Sequence, residues 1–177
     1  MPIFLDCEAS SLTEVSYPVE IGWGSDLKSI KSCLINPSLY PESYTDWNEK
    51  SEKIHGLSRQ FLRENGESPE SVACQLNDSL NGEVVYSDSN FDKFWCDRMF
   101  YAAKIKREFE IKDIKELLIN YLPEDYWHPS SLSSALNYRK LCDKARKSCG
   151  LVAHRAGNDV AYLIELYRLC KETSGYW

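Results

Sequence analysis

From Pro2 to Asp6 the chain reads Pro-Ile-Phe-Leu-Asp, a short apolar run that predicts a buried first strand. Residues 18–23 alternate well enough for a second strand and residues 31–35 suggest a third, with turn formers between them. Segments of this length and spacing fit an antiparallel meander. From Asp46 onward helical periodicity takes over. Asp46 or Thr45 is positioned to cap a helix over residues 47–54, Ser58 a short helix after it, and Ser68 a longer one ending near Leu80, before Gly82. Residues 83–86 predict a fourth strand, 90–103 a helix, 109–112 a fifth strand and 113–121 a helix. A helix from Ser130 towards Lys147 is broken at Gly150, and residues 156–170 predict the last one. Three strands in succession, then strands alternating with helices, predict an α/β domain. Its mixed five-stranded sheet is antiparallel on one side and parallel on the other, with helices packed on it.

Composition narrows the class. The 177 residues are 43% hydrophobic and 27% charged, which suits one soluble globular domain and excludes a disordered chain, a fibrous repeat and a coiled coil. No apolar run approaches the roughly 18 residues of a membrane span, so no membrane partner is expected. The first residues carry no basic stretch, and no secretory leader is read. A net charge of −6 argues against a protein that coats nucleic acid by electrostatic attraction. Seven cysteines at irregular spacing, with no C-x-x-C, indicate neither a disulfide framework nor a zinc site and point to the cytoplasm.

Three acidic segments carry candidate chemistry. In Asp6-Cys7-Glu8 the carboxylates share one side of the strand and Cys7 faces the other, because side chains two apart on a strand point the same way. Neighbouring carboxylates repel unless a cation binds them, and hard oxygen ligands suit magnesium or manganese. A D-x-E arises about once by chance in a chain of this composition, so on this motif alone a solvated strand end is the better reading. Ser87-Asp88-Ser89-Asn90-Phe91-Asp92 follows the fourth strand, at the carboxyl edge where open α/β sheets build their sites. Asp88 reads as a helix cap. Asp92 reads either as a site acid or as an ordinary first-turn acid favoured by the helix dipole. His154 and Asp159, five apart, put an imidazole on a loop and a carboxylate on the helix it introduces; a structural histidine is the ordinary reading of that spacing alone.

Taken together, Asp6, Glu8, Asp92 and Asp159, with His154 five residues before the last acid, resemble the DEDDh family of 3′–5′ exonucleases. This is the proofreading-exonuclease-like group with an RNase H-like fold. The resemblance extends over Glu20-Ile21-Gly22, Ile54-His55-Gly56-Leu57-Ser58 and the stretch from Val84 to Asp92. Relatives outside this branch place a tyrosine four residues before the final acid, where this chain has Arg155. The chain departs from the family in three places. Ala9-Ser10-Ser11-Leu12 stands where Thr-Gly-Leu is frequent, Asp88 where asparagine is common, and Gly157 where a bulky residue is common.

The resemblance implies a single RNase H-like exonuclease domain over residues 1–177, with helices on both faces of the sheet. It implies two divalent cations, Mg2+ or Mn2+, on Asp6, Glu8, Asp92 and Asp159. His154 would serve as general base in the hydrolysis of single-stranded DNA or RNA 3′ ends to nucleoside 5′-monophosphates. It further implies that Ala9, Ser10, Ser11 and Leu12 meet the terminal nucleotide, with Leu12 against its base, His55 on the base's other side, and Phe91 and Arg155 also at the substrate. The alternative is a non-catalytic nucleic-acid-binding module that keeps the fold, against which the intact acidic set argues. Arg139, Lys140, Lys144, Arg146 and Lys147 read either as a solvated helix face or as a phosphate track. Trp47, Trp95 and Trp127 read as core or rim. The aromatic ending, Tyr176-Trp177, is a candidate homodimer contact.

Overall fold

Phe4 and Leu5 are adjacent, fully buried, and belong to opposite faces of one sheet. That division organises the molecule, whose computed structural model describes residues 1–122 and 132–175. Strands β1 (Ile3–Ala9), β2 (Pro18–Gly24) and β3 (Lys31–Leu34) form the antiparallel part of the sheet. Strands β4 (Val84–Ser87) and β5 (Glu110–Asp113) extend it in parallel from β1, giving the order β3-β2-β1-β4-β5. The mixed five-stranded sheet is the one expected from the sequence, to within a few residues at the strand ends.

After α1 (Glu49–His55), the Leu5 face carries α2 (Arg59–Asn65), α3 (Pro69–Leu80) and α4 (Asn90–Ala103), where Leu62, Leu76, Met99 and Phe100 join Cys7, Ile21 and Val85 in one core. On the Phe4 face lie α5 (Ile114–Leu118), α6 (Leu132–Cys149) and α7 (Ala156–Ser174), where Ile114, Leu118, Leu163, Leu166 and Tyr167 pack under the sheet. Each such side chain contributes about 1.5–3 kcal/mol by leaving water. Among the described residues, no helix is long and apolar enough to cross a membrane.

Helix starts follow side-chain capping. Ser58 accepts from the Phe61 amide and Ser68 from the Ser71 amide, with Pro69 in the first turn. Two expected caps are corrected. Helix α1 begins at Glu49, because Asn48 accepts from the Lys50 amide; Asp46 is occupied elsewhere. Helix α4 is capped by Ser89, which accepts from the Phe91 amide, so Asp88 is released from that role. Gly150 ends α6 at φ +60°. The expected start of α6 at Ser130, and Trp127, Tyr176 and Trp177, lie outside the described residues.

Candidate active site

The carboxyl ends of β1 and β4 lie side by side in parallel, and the first turns of α4 and α7 come to the same edge of the sheet. This is where an α/β sheet leaves an open crevice. A cleft of about 340 Å3 occupies it, lined by Asp6, Glu8, Asp88, Asp92, His154 and Asp159 and also by Ala9, Ser11, Leu12 and His55. Side-chain oxygens of Asp6, Asp88 and Asp92 lie within 4.8 Å of one another, as do ligand atoms of Glu8, His154 and Asp159. Five residues from three separate segments, expected together from the sequence, are thus brought together. Asp88 is a sixth member that sequence reasoning took for a cap.

Asp92 and Asp159 are each held in the first turn of a helix. Asp92, buried in the first turn of α4, accepts from the Cys7 amide at 3.2 Å and from Ser87 Oγ at 2.6 Å, tying α4 to β1 and β4. Asp159, in the first turn of α7, accepts at Oδ2 from the His154 and Arg155 amides at 2.6 and 3.2 Å. Its Oδ1 accepts from Arg146 Nη1 at 3.1 Å. His154 sits at φ +64°, a left-handed conformation that a non-glycine side chain adopts only when its surroundings hold it there. The Asp159 carboxylate under its amide supplies part of that hold. Asn158 Nδ2 supplies another, donating to the Val152 carbonyl at 2.9 Å.

Arg155 does not line the cleft. Its Nε and Nη2 each donate at 2.9 Å to the carboxylate of Glu20, which also accepts from the Ala156 amide at 3.1 Å. Glu20 is 1% exposed in the middle of β2 and pairs across the strands with Glu8. A charged residue in the otherwise apolar run Val19-Glu20-Ile21 was the one sequence signal for this anchor. Beside it, Gly22 lets α7 approach: a Cβ there would lie 2.6–2.7 Å from the backbone of Ala156 and Gly157.

The loop after β1 has its own scaffold. The strand register shifts between Glu8 and Ala9, and the hydroxyls of Ser10, Ser11 and Thr13 all donate to Asp46 Oδ2. Ser10 stands outside the cleft lining and ties this loop down from behind. The loop carries Leu12, which is 70% exposed despite its apolar side chain. With Phe91 and Phe94 it lines an adjoining apolar pocket of about 280 Å3. Phe91 in turn stacks on Trp95, with ring centroids 5.3 Å apart. Trp95 is buried and donates to Ser16 Oγ at 2.7 Å. His55 is buried, and its Nδ1 accepts from the Leu57 amide at 3.0 Å, which puts the imidazole proton on Nε2. That Nε2 makes no well-formed hydrogen bond among the described residues, the backbone of Ala9 being its nearest polar neighbour, and burial lowers the His55 pKa at the cleft lining.

The electrostatics are those of a site built for cations. Burial, reinforced by Asp92, Asp159 and Glu8, holds Asp6 well above the usual carboxylate range. Glu8 is pushed up to about 8 by burial and then by Asp159 and Glu20. Asp92 is pushed up to about 7 by burial, against the hydrogen bond from Ser87. Among the described residues, Arg146 is the one Lys or Arg in the lining. Carboxylate oxygens in two close groups, joined by one imidazole and opposed by a single guanidinium, fit hard divalent cations.

No protein-family model and no curated protein matches the chain. Solved structures do. The zinc-bound complex of E. coli exonuclease I with single-stranded DNA matches with a TM-score of 0.66 at 17% identity, over 96% of this chain and 40% of that one. E. coli exonuclease I in complex with a dT13 oligonucleotide matches with a TM-score of 0.67 at 16% identity, over 99% and 42%. Apo exonuclease I gives 0.63 at 16% identity, over 98% and 43%. The chain thus spans about two fifths of the length of these neighbours. The fold is that of these exonuclease I structures, an α/β arrangement on a mixed five-stranded sheet.

Proposed function

We propose that this chain is a DEDDh-type, metal-dependent 3′–5′ exonuclease domain acting on single-stranded nucleic acid. The observation that carries the reading is the meeting of Asp6, Glu8, Asp92, Asp159 and His154 around one cleft, on a fold shared with exonuclease I.

Asp6, Glu8, Asp92 and Asp159 would hold Mg2+ or Mn2+, with Asp88 beside them. Bound there, such ions lower the pKa of water and stabilise charge on a departing oxygen. The remaining work falls to the chain. Leu12 and the Phe91–Trp95 stack offer apolar faces for unpaired bases, a contact worth about 1–3 kcal/mol per base and indifferent to sequence. The buried Nε2–H of His55 donates to a polar atom of the terminal nucleotide. His154, exposed at the lip, takes the proton of the attacking water; the phosphorus–oxygen bond to the preceding nucleotide's 3′ oxygen breaks, releasing a 5′-monophosphate. The Arg155–Glu20 pair positions His154 from behind rather than touching the strand.

The test is digestion of DNA and RNA oligonucleotides labelled at either end, in magnesium, manganese or EDTA. The proposal expects metal-dependent release of mononucleotides from the 3′ end. Binding without cleavage under every metal condition would favour the binding-module reading.

A further inference from the structure

Asp159 has two oxygens, and both are engaged. Oδ2 accepts the amides of His154 and Arg155 at 2.6 and 3.2 Å, bonds that fix the start of α7. Oδ1 is the oxygen left to face the cleft, and Arg146 Nη1 is on it at 3.1 Å. A cation that uses Asp159 therefore meets a guanidinium already in place, and two positive charges do not share one carboxylate oxygen without strong repulsion. The Arg146 side chain can yield. It is 47% exposed, it reaches Asp159 from α6, and its guanidinium lies 4.0 Å over the Tyr162 ring, a surface on which it can shift while remaining partly paired. It also lines the cleft and, among the described residues, is the only Lys or Arg to do so.

Building on the exonuclease reading, we infer that Arg146 is a positioning residue with two stations. Without metal it pairs with Asp159. When a divalent ion takes Asp159, Arg146 moves over Tyr162 to a phosphate of the strand, where its planar fork matches two phosphate oxygens. Strand binding then depends on metal through a side chain that holds no metal itself. The other basic residues of α6, Arg139, Lys140, Lys144 and Lys147, are exposed and do not line the cleft, so this role falls to Arg146 alone among them.

Two binding measurements test this without turnover. Affinity for a fluorescent dT10 strand is read by anisotropy in Ca2+ and in EDTA across a salt series, for the native chain, R146Q and R146K. Binding of Mn2+ alone is read by calorimetry. With Ca2+, R146Q should bind the strand about tenfold more weakly, with a salt slope shallower by about 0.7, the value of one lost phosphate contact on a single strand. R146K should keep the slope but recover only part of the affinity. In EDTA the native chain and R146Q should bind alike, and R146Q should bind Mn2+ at least as tightly as the native chain. Equal strand affinity of native chain and R146Q in Ca2+ would overturn the inference, as would weaker Mn2+ binding by R146Q. If R146Q fails to fold, R146K carries the test: an unchanged affinity in Ca2+ then contradicts the two-oxygen grip. A native chain that binds neither Mn2+ nor dT10 defeats the exonuclease reading itself, a separate outcome.

Discussion

Glu20 and Arg155, 135 residues apart, meet through two parallel 2.9 Å hydrogen bonds, and the residue before Arg155 is the left-handed His154. The pair fixes the entry to α7 against β2, and with it the imidazole and the carboxylate of Asp159. Arg155→Ala leaves the Glu20 carboxylate buried with only the Ala156 amide. A fully buried broken pair costs about 3–5 kcal/mol, but Arg155 is 42% exposed, so about 1–2 kcal/mol is expected, a fall in Tm of roughly 3–6 °C. Activity should drop further than this stability loss explains, through kcat more than KM. Thermal melting beside steady-state kinetics checks both halves, and an unchanged kcat would remove Arg155 from the positioning role.

Gly22 makes the same contact possible from the strand side. In Gly22→Ala the new methyl would sit 2.6–2.7 Å from backbone atoms of Ala156 and Gly157, which have no side-chain freedom to yield. The start of α7 must move outward. A cost of about 1–3 kcal/mol is expected from overpacking, with loss of activity at temperatures where the variant remains folded. Circular dichroism with an activity assay on one sample decides it.

The capping assignments at α4 separate cleanly by mutation. Ser89→Ala removes the hydroxyl that accepts the Phe91 amide and should cost about 1 kcal/mol. Asp88→Ala removes no cap and relieves repulsion with Asp6 and Asp92, so in EDTA its melting temperature should equal or exceed that of the native chain. A loss of about 1 kcal/mol in Asp88→Ala would restore Asp88 to the capping role.

The acidic cleft gives a pH dependence with a definite sign. Unfolded carboxylates titrate near 4, whereas in the folded chain Asp92 is pushed up to about 7 and Glu8 to about 8, and Asp6 is raised as well. The folded state therefore binds these protons more tightly. The stability they contribute is full below about pH 4 and is lost as pH rises through about 7 and 8. Without metal, this contribution should lower Tm between pH 5 and pH 8.5; with Mn2+, which favours the ionised forms, the fall should shrink or reverse. Melting curves in EDTA and in Mn2+ across that range are the check, and identical slopes in both would contradict the cation site.

Much of the fold was legible because its signals are local. Serines 58 and 68 mark helix starts through their own hydroxyls, and helix α4 has the bounds its periodicity predicts. The acids Asp6, Glu8, Asp92 and Asp159 were legible as a set only through their resemblance to the DEDDh pattern. What stayed hidden depends on segments that meet only after folding. Asp46 looks like a helix cap until three hydroxyls of the β1–β2 loop reach it. The partner of Arg155 shows only when β2 presents a buried Glu20. Arg146 is one of five basic residues on a helix face, and only the packing of α6 on α7 selects it. The exposure of Leu12, on the loop that follows the register shift after Glu8, likewise shows only in the folded chain.

The most direct test of the central claim follows a 5′-labelled single strand in Mn2+ with the native chain, Asp92→Ala and Asp159→Ala, each verified as folded. The account predicts a ladder that shortens from the 3′ end with the native chain, stops on addition of EDTA, and is absent with either variant. Full metal-dependent degradation by Asp92→Ala or Asp159→Ala would contradict it.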